Sequence, residues 1–314
     1  MIKTRDLPTL FKISTGILFS KTSPYFPIVA SFDVTKNCTL KCKHCYWWEQ
    51  EHNTELNDEA FYLKVLEIKK RHPTLVSAAW LGGEPLLRLK LVERCKSLFS
   101  FNRVITNGTL PLPDWKDVRF VCSVDGAKDF HEAQRGENTY QKIKKNLNRP
   151  ELDINLFCVI TKLNQSCLEE FVEEWSKTDI RSMGFGFYTP IEGKDNESLW
   201  LNFQERDKVI ERLIRLKKQY SELINTSLSV LENFRSANCR LATERCRRDF
   251  APFNAMCFDT AVKRKFPCVI GEKADCEKCG CIASVLGESI YQNKKDFLIE
   301  TIQTEIWRHT RRSL

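Results

Sequence analysis

Three cysteines stand close together in Asn37-Cys38-Thr39-Leu40-Lys41-Cys42-Lys43-His44-Cys45-Tyr46, a C-x3-C-x2-C spacing. Thiolates are soft ligands suited to iron–sulfur clusters and zinc. A [4Fe–4S] cube normally takes four cysteines, so a group of three leaves one iron open to a small molecule. The same residues admit a second reading, a structural zinc with His44 as fourth ligand. A further seven of the 14 cysteines crowd into residues 239–281: Cys239, Cys246, Cys257, Cys268, Cys276, Cys279 and Cys281. Four of them would fill one more cluster. The remaining three would hold a second cluster with an open iron, or be spare, and a four-cysteine zinc is the plainer alternative. Cys95, Cys122, Cys158 and Cys167 are scattered and read as small buried apolar residues.

The elements that must position these groups alternate along the chain. Strands are predicted over 28–34, 75–81, 103–106, 118–124, 154–161 and 182–188. Helices are predicted over 57–71, with Asn57 as cap, and near 86–97, 138–147, 167–177 and 204–220. Strand then helix, repeated about six times, is the pattern of parallel βαβ units. The strands are rich in Val, Ile and Phe, as in sheets covered on both faces. Loops at the carboxyl ends of such strands carry the chemistry. The first cysteine group directly follows the first strand. From about residue 222 the alternation gives way to an irregular, cysteine-rich segment, with a last polar, basic helix over 294–309. The organisation expected is an amphipathic helix within 1–24, a barrel over 25–221 and a cysteine-rich extension over 222–314.

Composition narrows the class. The 314 residues are 42% apolar and 29% charged, which suits a globular protein and excludes a long disordered chain. No run of about 18 apolar residues is present. The N-terminus lacks a secretory pattern, so a cytoplasmic location with reduced thiols is expected. The net charge is +8, but the basic residues are dispersed and no RNA-binding motif occurs, so nucleic acid is not expected as a partner.

Five segments, in order and each after a predicted strand, resemble the radical S-adenosylmethionine (AdoMet) superfamily. They are the Cys38–Cys45 loop with His44 at the aromatic position, Gly82-Gly83-Glu84-Pro85, Thr106-Asn107-Gly108, Ser123-Val124-Asp125-Gly126, and His131 with Arg135. The resemblance covers roughly residues 28–190. It implies an α/β fold, a partial (β/α)6 barrel of the radical AdoMet type with a small irregular cysteine-rich extension. It also implies a [4Fe–4S] cluster on Cys38, Cys42 and Cys45, with AdoMet bound by His44, Gly82, Gly83, Glu84, Pro85, Asn107, Ser123 and Arg135. Two adjacent glycines let a backbone approach a ligand closely, Glu84 suits an ammonium group, and Arg135 suits a carboxylate. No role is assigned to His131. The chemistry implied is reductive cleavage of AdoMet to methionine and a 5′-deoxyadenosyl radical, fed by a flavodoxin or ferredoxin-type electron donor.

The tail is expected to hold an auxiliary [4Fe–4S] cluster on Cys257, Cys268, Cys276 and Cys279, with Cys239, Cys246 and Cys281 in reserve. Its closest resemblance is to hopanoid-pathway enzymes that join the adenosyl radical to a polycyclic lipid. The likeness rests on length, the basic N-terminus, Phe187-Tyr188-Thr189-Pro190 before an acidic Trp-containing loop, Pro267-Cys268 and Cys276-x2-Cys279. A lipid or isoprenoid substrate is therefore the first expectation, with Trp47, Trp48, Trp200 and Tyr188 as a candidate apolar cavity. Peptide modification of the SPASM type is second, and a non-catalytic iron–sulfur or zinc module third. Residues 7–20 suit either contact with an anionic membrane surface or a helix closing the barrel.

Overall fold

A computed structural model describes residues 27–51, 54–249, 255–292 and 294–296. The amphipathic segment at 7–20 and most of the predicted helix at 294–309 lie outside the described residues. Six strands follow in chain order: β1 (Val29–Thr35), β2 (Ser77–Gly82), β3 (Phe101–Thr106), β4 (Val118–Ser123), β5 (Asp153–Ile160) and β6 (Ser182–Phe187). All pair in parallel with their sequence neighbours, and a short strand from the tail, β7 (Met256–Phe258), joins β1 in parallel. The sheet order is β6-β5-β4-β3-β2-β1-β7. This is the open, parallel α/β architecture expected of a partial barrel.

Helices cover the outer face. They are α1 (Asp58–Arg71), α2 (Leu89–Lys96), α3 (Lys128–Arg135), α4 (Tyr140–Leu147), α5 (Leu168–Ser176) and α6 (Phe203–Gln219). Asn57 caps α1 by accepting from Ala60 N, and Asn202 with Glu205 forms a capping box on α6. Ala30, Phe32 and Val34 of β1, with Ala78 and Trp80 of β2, enter one core with the helices, where Phe32 stacks on Trp80 at 5.2 Å. The alternate residues Val29, Ser31, Ser77, Leu81 and Arg103 line a cavity on the inner face. The strands therefore alternate more than a doubly covered sheet would, because the inner face is reserved for a site.

The tail has more regular structure than its sequence suggests. It holds α7 (Leu228–Asn233), α8 (Ser236–Asp249), β7 and α9 (Ile282–Tyr291), and the three helices pack on one another. Its middle spans both edges of the sheet. β7 pairs with β1, while Phe187 N at the end of β6 donates to Gly280 O at 2.8 Å. Asp275 N donates to Pro190 O and Glu192 N to Lys273 O, each at 2.9 Å. The cysteine-rich segment thus laces the open barrel together.

Candidate metal centres in the barrel

The Cys38–Cys45 loop leaves the carboxyl end of β1 and is fixed from three sides. Gly83 N donates to Thr35 O and Glu84 N to Asn37 O, both at 2.8 Å. A Cβ on Gly83 would lie 2.0 Å from Asn37 O, and Gly82 has φ +114°. The close approach that the glycine pair permits is therefore to the backbone beside Cys38. Asn107 Nδ2 donates to Thr39 Oγ1 at 2.9 Å and faces Cys38 Sγ at 3.6 Å. Lys43 N donates to Gln134 O at 2.9 Å, and Arg135 Nη1 faces Cys42 Sγ at 3.8 Å.

Behind the loop lies a buried polar network that sequence reasoning missed. Asp125 is fully buried and accepts from Gln134 Nε2 at 2.8 Å, from Val159 N at 2.9 Å and from Arg135 Nε. Burial would raise the Asp125 carboxyl, but Arg135, joined by His44 and His131, outweighs it and brings it to about 2. His44 is held at about 4 by burial, partly offset by Asp125. It is a neutral ring 3.3 Å from Asp125 Oδ2 and 3.4 Å from Arg135 Nη2. The signal for Asp125 was in the Ser123–Gly126 segment, whose acidic residue had been given no role.

The loop fits a cluster. Burial pushes Cys42 up to about 12 and raises Cys38 and Cys45, while the Arg135 guanidinium opposes the rise at Cys42 and Cys45. Donors aimed at Cys38 and Cys42 stabilise sulfur that bears negative charge. The zinc alternative fits less well. His44 Nε2, a ring nitrogen a zinc could use, is instead turned toward Asp125 and Arg135.

The expected AdoMet residues surround this loop, though several have other work. Glu84 is fully buried, and its carboxylate accepts from Leu86 N, Thr106 Oγ1 and Asn107 N at 2.9–3.1 Å. It ties β2 to β3, leaving about one of roughly four acceptor positions for an ammonium. Pro85 starts the short helix that follows. Asn107 is engaged with the cysteine loop, and Arg135 with Asp125, Cys42 and His44, so both brace the thiols. Ser123 ends β4, half-buried, and His44 Nδ1 is buried without a partner among the described residues. His131 Nδ1 accepts from Asp125 N at 3.1 Å, a structural contact.

Six of the seven tail cysteines meet at one cavity. Cys246, Cys257, Cys268, Cys276, Cys279 and Cys281 line a cavity of about 360 Å³ on the inner face of the barrel. Burial raises Cys281, and its neighbours Cys279, Cys268 and Cys246 raise it further. Burial brings Cys268 to about 11. Cys239 does not line this cavity. Its Sγ faces Ser236 O at 3.8 Å within α8. The four cysteines favoured from spacing are thus brought together, and Cys246 and Cys281 join them. Lys265 locks the segment in place, donating to Asp33 Oδ2 at 2.8 Å and Gln50 Oε1 at 2.9 Å. Burial brings Asp33 to about 6, the Lys265 ammonium opposing the rise.

A sequence model described as the radical SAM superfamily matches residues 32–174, which hold the cysteine loop, the Gly82–Pro85 segment, Asn107 and the Asp125–Arg135 network. Residues 32–174 thus carry a radical SAM domain. The chain is 25% identical over 224 residues to a cysteine-type anaerobic sulfatase-maturating enzyme of Clostridium perfringens, covering 61% of this chain and 60% of that protein. It is 27% identical over 180 residues to the Clostridium novyi enzyme of the same name, covering 48% of each. It therefore spans about half to three-fifths of the length of these relatives. Among solved structures it resembles native anSMEcpe with bound AdoMet, at TM-score 0.61 and 19% identity over 86% of this chain and 84% of that one. Streptococcus suis SuiB bound to the precursor peptide SuiA gives TM-score 0.61 and 15% identity over 92% and 69%. These two likenesses establish the fold.

The likeness to hopanoid-pathway enzymes is not supported by these relatives, and the structure removes the lipid cavity expected for it. Trp47 is buried, and its Nε1 donates to Lys36 O at 3.0 Å. Trp48 is on the surface, and Trp200 packs edge-on against Phe203. Tyr188 Oη donates to Asn196 Oδ1 at 2.7 Å. These aromatics are core or surface residues and do not line the inner cavity. Among the described residues no helix is long and apolar enough to cross a membrane.

Proposed function

We propose that this chain is a radical AdoMet enzyme that modifies a peptide or protein, with an auxiliary [4Fe–4S] cluster in the inner cavity. The observation that carries the reading is the pair of thiol groups in one barrel, one at the carboxyl end of β1 and one on the inner face. Cys38, Cys42 and Cys45 would hold the first cluster. Cys257, Cys268, Cys276 and Cys279 would hold the second, with Cys246 and Cys281 also within the cavity wall. A cluster held on Cys38, Cys42 and Cys45 with an open iron would supply the electron for reductive cleavage of AdoMet to methionine and a 5′-deoxyadenosyl radical.

The chain's own residues bind and orient. Arg135 places a charged N–H donor against Cys42, and Asn107 a neutral amide N–H against Cys38. Asp125 holds Arg135 in that position and keeps its charge compensated within the protein interior. Ser123 and the remaining acceptor position on Glu84 are available to AdoMet. The peptide reading is supported by the sulfatase-maturating relatives and by the precursor peptide bound to SuiB. A flavodoxin or ferredoxin-type protein is the electron donor that fits such chemistry.

The test is turnover of the anaerobic, reduced, reconstituted protein with AdoMet. A host peptide fraction and a host lipid extract are supplied in parallel, and 5′-deoxyadenosine and mass-shifted products are measured. Stimulation by the peptide fraction, with a modified peptide, is expected. Stimulation by lipid alone would overturn the substrate reading.

A further inference from the structure

Arg206 lies in α6 and is fully buried. Its guanidinium is placed with care but without a carboxylate. Nη1 donates to Cys279 O at 2.8 Å and Nη2 to Lys278 O at 3.1 Å. The rings of Phe187 and Phe203 lie 5.2 Å away, and Nε has no partner among the described residues. The neighbouring Asp207 is engaged elsewhere, accepting from Ser236 N at 2.9 Å and from Ser236 Oγ at 2.6 Å. Other deeply buried arginines differ. Arg135 pairs with Asp125 and Arg119 with Asp153.

A buried cation is costly unless an anion compensates it. Carbonyls and aromatic faces lower that cost without cancelling the charge. The acidic functions that favour the Arg206 charge are the thiols of Cys239 and Cys279, with Asp207 after them. Cys239 sits in α8 outside the cavity, whereas Cys279 lines it. A thiol is a poor counter-ion, but a metal-bound thiolate is an anion. The missing negative charge is therefore on the side where Cys276, Cys279 and Cys281 meet the cavity.

We propose that Arg206 is the counter-cation of the thiolate-bound cluster in the inner cavity, fixing the Lys278–Cys279 backbone and raising the cluster's reduction potential. The inference rests on the reading that this cavity holds an auxiliary [4Fe–4S] cluster. Reduction adds one negative charge to the cluster, and a fixed cation nearby favours the reduced form. Arg206 is thus a positioning and electrostatic residue that does not itself ligate iron.

The test uses the full chain carrying Cys38→Ala, Cys42→Ala and Cys45→Ala, so that iron and paramagnetic signal report the tail site alone. Arg206, Arg206→Lys and Arg206→Gln are compared after anaerobic reconstitution. Iron per chain is counted, and the midpoint potential is taken from a redox titration followed by electron paramagnetic resonance. The parent should hold about four irons. Arg206→Gln should keep iron with a more negative potential, and Arg206→Lys should recover most of the shift. Loss of iron from Gln but not from Lys also supports the charge. Unchanged potential in an iron-loaded Gln protein would overturn the inference, as would loss of iron from both variants, which assigns Arg206 a clamping role alone. Should the Gln protein not fold, the Lys protein decides. A potential equal to the parent's supports the charge, and a more negative one assigns the effect to loop geometry. A parent without iron would overturn the auxiliary-cluster reading itself, an outcome distinct from the others.

Discussion

Asp125 takes three protein donors and lies 3.3 Å from His44 Nε2, so the cysteine loop depends on a residue that touches no thiol. Removing its charge leaves Arg135 buried beside Cys42 without a counter-ion. Breaking such a pair costs about 3–5 kcal/mol. Asp125→Asn should lower the stability of the cluster-free protein by that order in chemical denaturation, and reduce iron uptake at the first site. Wild-type stability would contradict the bracing role. The thiols themselves set a pH dependence. Burial holds Cys42 at about 12 and raises Cys38 and Cys45, so below that range the empty site is protonated. Cluster assembly must then release protons, and it becomes more favourable as pH rises. Iron and sulfide uptake should increase from about pH 6 to about pH 9, and a flat profile would count against it.

Two close backbone approaches join the elements, and each governs a different centre. A Cβ at Gly83 would lie 2.0 Å from Asn37 O, and one at Gly280 would lie 2.3 Å from Phe187 O. Neither obstacle is a flexible side chain, so alanine must shift a loop, at a cost of about 1–3 kcal/mol or more. Gly83→Ala should lower iron at the first site, whereas Gly280→Ala should lower it at the tail site, each removing up to ~4 irons. Loss from the opposite site, read by iron count and by the two paramagnetic signals, would contradict the assignment. The six barrel strands were legible because runs such as Asp153–Ile160 are β-branched, aromatic and bounded by turns. Helix α3 was not, because Lys128–Arg135 is polar and its buried residues are His131, Gln134 and Arg135, which sequence periodicity reads as surface. β7 has three residues and was not legible in the sequence; its pairing with β1 defines it. The second centre was half legible. Spacing picked out four cysteines, but the cavity wall also takes in Cys246 and Cys281, brought there by contacts distant in sequence such as Lys265 to Asp33 across 232 residues, whereas Cys239 faces Ser236 O within α8.

At the scale of the whole molecule, one barrel gathers thiols at two places. The loop after β1 gathers three thiols, with bracing from the ends of β2, β3 and β4. The tail pairs with β1 at one edge, meets β6 at the other and lines the inner cavity with six thiols. The lipid reading rested mainly on a resemblance that the relatives do not support, the aromatics offered for its cavity are used elsewhere in the fold, and the substrate proposed is a peptide or protein. The central claim is that Cys38, Cys42 and Cys45 hold the cluster that cleaves AdoMet. It is tested most directly by 5′-deoxyadenosine formation, measured by mass spectrometry under anaerobic reducing conditions. Wild type is compared with Cys38→Ala, Cys42→Ala and Cys45→Ala. Production by wild type and loss to background in all three variants is the result required. Retained cleavage in any one of them would contradict the assignment.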